Sequence, residues 1–257
     1  MFPKIKIYRG YDIVLLKNIK QNTETSLAEK YFTQAEELRL KNKNKEAIDK
    51  YLHSILINKD NPTSYLGLGI AYKSIKNYDK AILNLKKAEK LMPLDFTVQK
   101  ELALCNIING DFENGMKYLI NSIKIEPDNI EMQMQLALVH EMIEEEDMAL
   151  MIYQKIIETK PDYTRAYIQK ATLYMYLEDY LNCAKIFNKV IKLKPDYYRA
   201  FFALGICYDK LGNTSAAKRY YKKYLKLSSN IENNREISKR LYKMNNNKTT
   251  GNKLRIV

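Results

Sequence analysis

Residues 161–195 read PDYTRAYIQKATLYMYLEDYLNCAKIFNKVIKLKP, which is one full interval between two prolines. Four of the six prolines in the chain stand at this same spacing of 34 residues: Pro93, Pro127, Pro161 and Pro195. A fixed period of this length is the sequence signature of tandem structural repeats. Extended in both directions, the period defines six registers that align without insertion and begin at Ala28, Pro62, Phe96, Ile130, Thr164 and Tyr198.

Each register has the hydrophobic pattern of two helices. Apolar residues recur three and four places apart, as in Tyr65, Leu68 and Tyr72, and this spacing predicts helices. Turn-forming residues such as Asn-Gly-Asp at 109–111 separate the two halves, and Pro-Asp ends the second half. The eighth and twentieth places hold only Ala, Gly or Cys, as closely crossing helices require. The sequence therefore predicts an all-α chain of antiparallel helix pairs.

These columns resemble the tetratricopeptide repeat family over residues 28–229. The family pattern W-x2-L-G-x2-Y, A-x3-F and P is met here with substitutions. The resemblance implies a right-handed superhelical solenoid whose concave groove is lined by the first helix of each pair. Tryptophan is absent, and we expect looser packing where Gln99 and Gln133 take its place. The place is held by Tyr31, Tyr65, Gln99, Gln133, Tyr167 and Phe201.

The repeat pattern also suggests where the chain divides. Six repeats are expected over 28–61, 62–95, 96–129, 130–163, 164–197 and 198–229 or 198–231. A capping box at 229–232 predicts a C-terminal capping helix over 230–244, and residues 245–257 are expected to form a flexible basic tail. Residues 1–27 do not match the repeat and are too apolar for a free linker. They are expected either to cap the first repeat or to occupy a groove, of this chain or of a neighbouring one, as a pseudo-ligand.

Composition places the chain among ordinary soluble proteins. It has 257 residues, of which 46% are hydrophobic and 28% are charged. No apolar run is long enough to span a bilayer, and no signal-peptide pattern is present near the start. Three cysteines lie far apart, at Cys105, Cys183 and Cys207, and form neither a metal motif nor a disulfide framework. We therefore expect a cytoplasmic protein.

No residue pattern predicts catalysis. His53 and His140 share no local constellation with a nucleophile or a second histidine, and no phosphate-binding glycine loop is present. The three cysteines occupy the tenth and twentieth places, where they are expected to act as small packing residues. The sequence therefore predicts a protein that is not an enzyme, with no catalytic residue, no metal and no cofactor.

The family resemblance assigns the second, fifth, ninth, twelfth and thirteenth places of each first helix to the groove. Here these places are mostly apolar, and we expect them to form an exposed stripe, distinct from the core, that binds an apolar or amphipathic peptide. The alternative is that tight curvature makes these side chains contact one another. The predicted groove residues are Phe32, Leu66, Ile70, Lys100, Leu104, Met134, Leu138, Arg165, Ile168, Thr172, Arg199, Phe202 and Ile206, with Ile107, Ile108, Met142, Met175 and Tyr176 beside them.

A carboxylate clamp, another use of this fold, does not fit the sequence, because too few of the positions that such a clamp requires hold lysine or arginine. Lys100, Arg165 and Arg199 are candidates for holding one acidic group at the edge of an apolar ligand, or are simply solvated. The net charge is +13, most of it in the flanks, and the sixth repeat interleaves lysines with tyrosines. Nucleic-acid binding is a weaker alternative, because the groove lacks polar base-reading side chains.

The prediction from the sequence is a non-enzymatic adaptor whose partner is a protein or peptide with an apolar or amphipathic segment. The second class is a structural subunit of a larger assembly, contacting its neighbours through the convex face and the tails.

Overall fold

The computed structural model describes the backbone of residues 11–229 and 231–251, and the side chains of residues 25–229 and 234–246. Within these residues the chain is helical and contains no strand, so the predicted all-α class is confirmed. None of the described helices is both long and apolar enough to cross a membrane. The expectations for residues 1–10 and 252–257 lie outside the described residues.

Twelve of the described helices form six consecutive pairs, and one more helix follows them. Their bounds are α1 Tyr11–Leu40, α2 Asn44–Ile57, α3 Pro62–Ser74, α4 Tyr78–Leu91, α5 Phe96–Ile108, α6 Phe112–Ile125, α7 Ile130–Met142, α8 Glu146–Thr159, α9 Thr164–Tyr176, α10 Tyr180–Leu193, α11 Tyr198–Lys210, α12 Thr214–Leu227 and α13 Ile231–Gly251. From the second pair on, the first helix of each pair begins at the predicted register start.

The chain divides into two compact units, residues 1–132 and residues 133–257. In the first unit each helix from α1 to α6 packs against the next one along the chain. In the second unit the same holds for the helices from α8 to α13. Nearest-neighbour packing of this kind is what a repeat array requires, because one helix pair cannot bury its own apolar face.

The first helix of every pair ends in the same hydrogen-bonded turn. At the fifteenth place of each repeat the backbone has a positive φ, although only Gly110 and Gly212 are glycines there. The N–H of the next residue, at the sixteenth place, donates to the carbonyl of the eleventh place, as in Asn77 N to Tyr72 O at 2.9 Å. This is the Schellman motif, which pairs carbonyls that the helix leaves unsatisfied. The other φ-positive residues are Asn42, Lys76, Glu144 and Glu178.

Side-chain caps begin many of the helices. Asn61 accepts hydrogen bonds from the N–H groups of Thr63 and Ser64, with Pro62 at the first helical position. Asp111 caps α6 and Asp179 caps α10 in the same way. Such caps satisfy the backbone donors that a helix start leaves free and contribute about 1 kcal/mol each. The turns between the helices therefore lie at the segments that the sequence predicts.

The seam within each pair is formed by the small and large columns that the sequence predicts. The eighth and twentieth places are buried throughout, and so is every large residue of the twenty-fourth place. The fit is tight enough that a Cβ on Gly69 would lie 2.6 Å from Cγ of Leu85, and one on Gly205 would lie 2.4 Å from Cδ1 of Tyr221. The twenty-fourth column is Tyr51, Leu85, Leu119, Tyr153, Phe187 and Tyr221.

The looser packing expected at Gln99 is not found. Gln99 is 2% exposed, and its amide donates to the carbonyl of Pro93 at 3.0 Å and to Glu89 at 3.3 Å. Its own side-chain oxygen accepts a hydrogen bond from Asn121 at 3.1 Å. A hydrogen-bonded network therefore replaces the missing aromatic ring, because a buried amide is stable once its donors and acceptor are paired.

The two ends of the described chain differ from the predicted boundaries. Residues 11–27 continue the first helix of repeat one as part of α1, so this part of the extension is helical. Whether it caps the repeat or serves as a pseudo-ligand stays a prediction. At the other end α13 continues past Met244 to Gly251, so residues 245–251 are helical where a flexible tail was expected. No proline or glycine precedes Gly251 in this segment to stop the helix.

The capping role predicted for the last helix is confirmed for its described side chains. Ile237, Leu241 and Met244 are buried against the core of the sixth pair. Arg240, on the same helix, donates two hydrogen bonds to Asp209 on α11, at 2.7 and 2.6 Å. The apolar face of α13 therefore covers the end of the second unit while its charged face remains accessible.

Candidate functional site

The predicted groove residues lie on the first helices of the pairs and are less exposed than the sequence suggested. In the first unit all are partly buried: Phe32, Leu66, Ile70, Lys100 and Leu104. In the second unit Met134 is fully buried, Arg165, Thr172 and Arg199 are exposed, and the remainder are partly buried: Leu138, Ile168, Phe202 and Ile206.

The expectation of an exposed apolar stripe separate from the core is therefore wrong for the fifth and ninth places. Phe32 packs against the core of the first pair. Ile168, Phe202 and Ile206 pack against the core of the second unit, with the ring of Phe202 5.1 Å from that of Tyr224. These four side chains therefore belong to the edge of the core. Met134 is removed as a ligand-contacting residue, because none of its surface is accessible.

Exposed apolar surface lies instead at the thirteenth place, at the C-terminal end of the first helices. The exposed fractions are 74% for Leu40, 55% for Ile108, 57% for Met142 and 71% for Tyr176. Ile108, Met142 and Tyr176 were predicted from the sequence to lie beside the groove. The sequence did not show that they would be more exposed than the residues of the fifth and ninth places. Each unit therefore carries its own exposed apolar surface.

In the second unit Tyr176 lines a cleft of about 270 Å³, and Met142 follows another lining residue, Glu141, at the end of α7. The cleft is lined by Glu141 of α7, Glu146 of α8, and Thr172, Leu173 and Tyr176 of α9. Of these residues, Thr172 was predicted to line the groove and Tyr176 to lie beside it. The acidic segment 144–147 was noted in the sequence, but nothing in it indicated that a carboxylate of the preceding helix would line the same cleft.

Glu141 is one of two partly buried carboxylates that line this cleft, and the other is Glu146. The hydroxyl of Tyr153 on α8 donates a hydrogen bond to Oε1 of Glu141. Burial raises the pKa of Glu141, and the hydrogen bond from Tyr153 lowers it, with burial the larger effect. Burial and the neighbouring carboxylate also raise the pKa of Tyr153. The pair therefore holds a hydrogen-bonded negative charge in a partly desolvated place.

Each of the three predicted cations has an interaction partner. Nζ of Lys100 lies 3.8 Å from Oε1 of Glu101 and 5.7 Å from the ring centroid of Phe96. Arg165 is exposed and has an interaction partner. Arg199 is exposed, and a hydrogen bond with Tyr198 raises its pKa. Their role in holding an acidic group stays a prediction.

The cysteines are buried, as their places in the repeat predicted. Burial raises the pKa of the Cys105 thiol to about 11, which disfavours the reactive thiolate. Cys183 and Cys207 are also fully buried, with their Sγ atoms 3.1 Å apart. Nowhere in the described part of the chain do three His, Cys, Asp or Glu residues form a potential metal site.

The tyrosines of the sixth repeat are not available for stacking on bases. Tyr220, Tyr221 and Tyr224 are 8%, 3% and 2% exposed. The packing role predicted for the last two is confirmed, and the lysines beside them remain a solvated surface. This burial argues against the base-stacking mode of nucleic-acid binding at this helix.

Comparison with known proteins identifies the repeats. The family model for the tetratricopeptide repeat matches residues 62–93, 164–197 and 198–231, which correspond to the second, fifth and sixth registers. A search of curated protein sequences gave no match. Many solved structures are similar to this chain.

Three of these structures indicate the range of similarity. MamA is 24% identical, with 66% of this chain and 92% of MamA covered at a TM-score of 0.62. YrrB, described as a TPR protein with an unusual peptide-binding site, is 21% identical, with 73% and 96% covered at a TM-score of 0.61. The C-terminal part of a TPR protein from Cytophaga hutchinsonii is 17% identical, with 76% and 78% covered at a TM-score of 0.70. At these identities the similarity shows the fold.

Proposed function

We propose, on the premise that this chain is a tetratricopeptide repeat protein, that it is a cytoplasmic adaptor that binds an apolar or amphipathic peptide segment of a partner protein. A protein-interaction role follows from the repeats themselves. The peptide-binding surface is assigned to the cleft of the second unit with Met142 and Tyr176. A cytoplasmic location is consistent with the three free cysteines.

The proposal is carried by the exposure of apolar side chains beside a cleft. Met142 and Tyr176 are each more than half exposed, although water contact with such side chains costs free energy. Burying on the order of 400 Å² of apolar surface at about 25 cal/mol per Å² would release about 10 kcal/mol. Association and ordering costs reduce this to an affinity of about micromolar. Methionine at the surface adapts to different partner sequences.

A matched pair of double variants tests the proposal. Met142→Ser with Tyr176→Ser removes the apolar surface beside the cleft. Met151→Ser with Tyr242→Ser removes side chains of the same types and nearly the same exposure, 57% and 69%, from α8 and α13. A phage-displayed library of random peptides is selected on the wild-type chain, and the selected peptides are measured by fluorescence anisotropy.

We expect the selected peptides to be apolar and to lose at least tenfold in affinity for the first double variant alone. Equal binding to both double variants would place the site elsewhere. A wild-type chain that selects no peptide would refute the proposal. Circular dichroism of both variants checks that the helices are retained.

The second candidate, a structural subunit of a larger assembly, is favoured by exposed apolar residues on the second helices. Leu56 and Leu83 are 72% and 58% exposed on α2 and α4. If these residues contact neighbouring subunits, sedimentation velocity should show concentration-dependent association that Leu56→Ser with Leu83→Ser abolishes. A monodisperse monomer at all concentrations would count against this candidate.

A further inference from the structure

One polar arrangement recurs in three repeats. The tyrosine of the twenty-fourth place, on the second helix, donates its hydroxyl to a carboxylate on the first helix of the same pair. The pairs are Tyr51 with Glu36, Tyr153 with Glu141, and Tyr221 with Asp209. The tyrosine ring is buried in each case, so its hydroxyl holds the carboxylate at a defined position beside the seam.

In two of these repeats an arginine of the same chain neutralises the carboxylate. Arg39 Nη2 lies 2.5 Å from Glu36 Oε2 in the first repeat. In the sixth repeat Arg240 donates two hydrogen bonds to Asp209, at 2.7 and 2.6 Å. Arg240 belongs to α13, so the cation is delivered by a helix from outside the repeat. A bidentate arginine matches the geometry of a carboxylate, which makes such pairs strong.

The fourth repeat has the tyrosine and the carboxylate but no cation on the carboxylate. Among the described residues Glu141 has a hydrogen bond from Tyr153 and no salt bridge. The charge of Arg165 lowers the pKa of Tyr153, but it is not among the causes that shift the pKa of Glu141. A partly buried carboxylate without a cation is less stable than a paired one, and a cation that reaches it is bound correspondingly well.

The surroundings of Glu141 are accessible to a long cationic side chain. Glu141 lines the cleft together with a second carboxylate, Glu146. Tyr176, on the opposite helix of the cleft, is 71% exposed, so its ring face is available to a guanidinium group or its alkyl stem. His140 is already paired with Glu145, its Nδ1 2.6 Å from Oε2, and so leaves Glu141 to an outside partner.

We infer that this cleft binds an arginine side chain of the partner segment, with its guanidinium on Glu141 and its stem along Tyr176. The partner is therefore an apolar peptide that carries a basic residue next to its apolar ones. Arginine is preferred over lysine because its planar fork can pair with one carboxylate through two hydrogen bonds, as Arg240 does with Asp209. The inference rests on the proposed function and specifies its ligand.

The test uses two tripeptides on the full chain: acetyl-Leu-Arg-Leu-amide and acetyl-Leu-citrulline-Leu-amide. Citrulline has nearly the shape of arginine without its charge. Binding is followed by NMR through the 13C-methyl signal of Met142, assigned with Met142→Leu. We expect the arginine peptide to bind at least about tenfold more tightly, the effect of one charge-assisted hydrogen bond. We expect Glu141→Gln to remove this preference.

Asp209→Asn is the matched control, because it alters the equivalent carboxylate that Arg240 already occupies. It should leave the preference for arginine unchanged. Equal affinity of the two peptides for the wild-type chain would overturn the arginine inference while leaving apolar binding in place. A preference that survives Glu141→Gln would also overturn it, because the cation would then lie elsewhere. If neither peptide shifts the Met142 signal, the proposed function fails together with the inference.

Discussion

Replacement of Gly205 by alanine tests the seam between α11 and α12. A Cβ at this position would lie 2.4 Å from Cδ1 and from Cε1 of Tyr221. Non-bonded carbons prefer a separation of about 3.5–4.0 Å, so the tyrosine ring would have to move by about 1 Å or more. Tyr221 is 3% exposed, and its hydroxyl points to Asp209 at 3.5 Å. The ring therefore has little space into which it can move.

Two opposing effects set the magnitude. Overpacking of a closed seam costs about 1–3 kcal/mol, and the near absence of free space places this site at the upper end. Alanine favours a helix over glycine by about 1 kcal/mol. We therefore expect Gly205→Ala to lower the free energy of unfolding by about 2 kcal/mol. Urea unfolding followed by circular dichroism measures the loss, and hydrogen exchange locates it in α11, α12 and α13.

A rescue variant makes the test specific. In the third repeat the same two places hold Ala103 and Leu119, and both are fully buried. Gly205→Ala with Tyr221→Leu copies that pair and should be more stable than the sum of the two single changes predicts. The double-mutant cycle gives this coupling directly. If Gly205→Ala is as stable as the wild type, or more stable, the steric explanation of the small column is refuted.

Three further predictions concern other features. Lys76→Gly should raise the free energy of unfolding by about 0.5–1 kcal/mol, because Lys76 has φ +62, a value at which glycine is unstrained. Gly110→Lys, at the same place of the next repeat, should lower the free energy of unfolding, and urea unfolding measures both changes. Burial raises the pKa of Cys105 to about 11 in the folded chain, so at pH 8 iodoacetamide should label it far more slowly than in the urea-unfolded chain, as measured by mass spectrometry. The stability that the neutral thiol contributes should fall as the pH rises from about 9 towards 11. Equal labelling rates in the folded and unfolded chains would contradict the burial of Cys105. Arg240→Gln should speed hydrogen exchange in α13 and lower the free energy of unfolding by about 0.5–1 kcal/mol. This loss is modest because the ion pair of Arg240 with Asp209 is partly exposed. An unchanged exchange rate would show that apolar packing alone holds α13 in place.

Glu141 is the clearest case of a functional residue that the sequence did not indicate. Glu141 and Tyr153 stand on different helices, and their meeting depends on how α7 and α8 pack. The sequence offered a tyrosine in the packing column and a glutamate in a groove place, but no sign of the hydrogen bond between them. The equivalent pair of Asp209 and Tyr221 was hidden for the same reason.

Periodicity alone determined the repeat length, the six registers, the helix pairs and the residues of the seam, because these features depend on local patterns and on neighbours one repeat away. The tertiary structure decided which groove places stay exposed. Met134 is fully buried and Tyr176 is 71% exposed, although both were read as groove residues. The exposure of a side chain depends on how much of the space around it is filled by its neighbours, as the ring of Tyr224 fills space beside Phe202. That filling is set by the packing between helices and not by the position of a residue in the repeat.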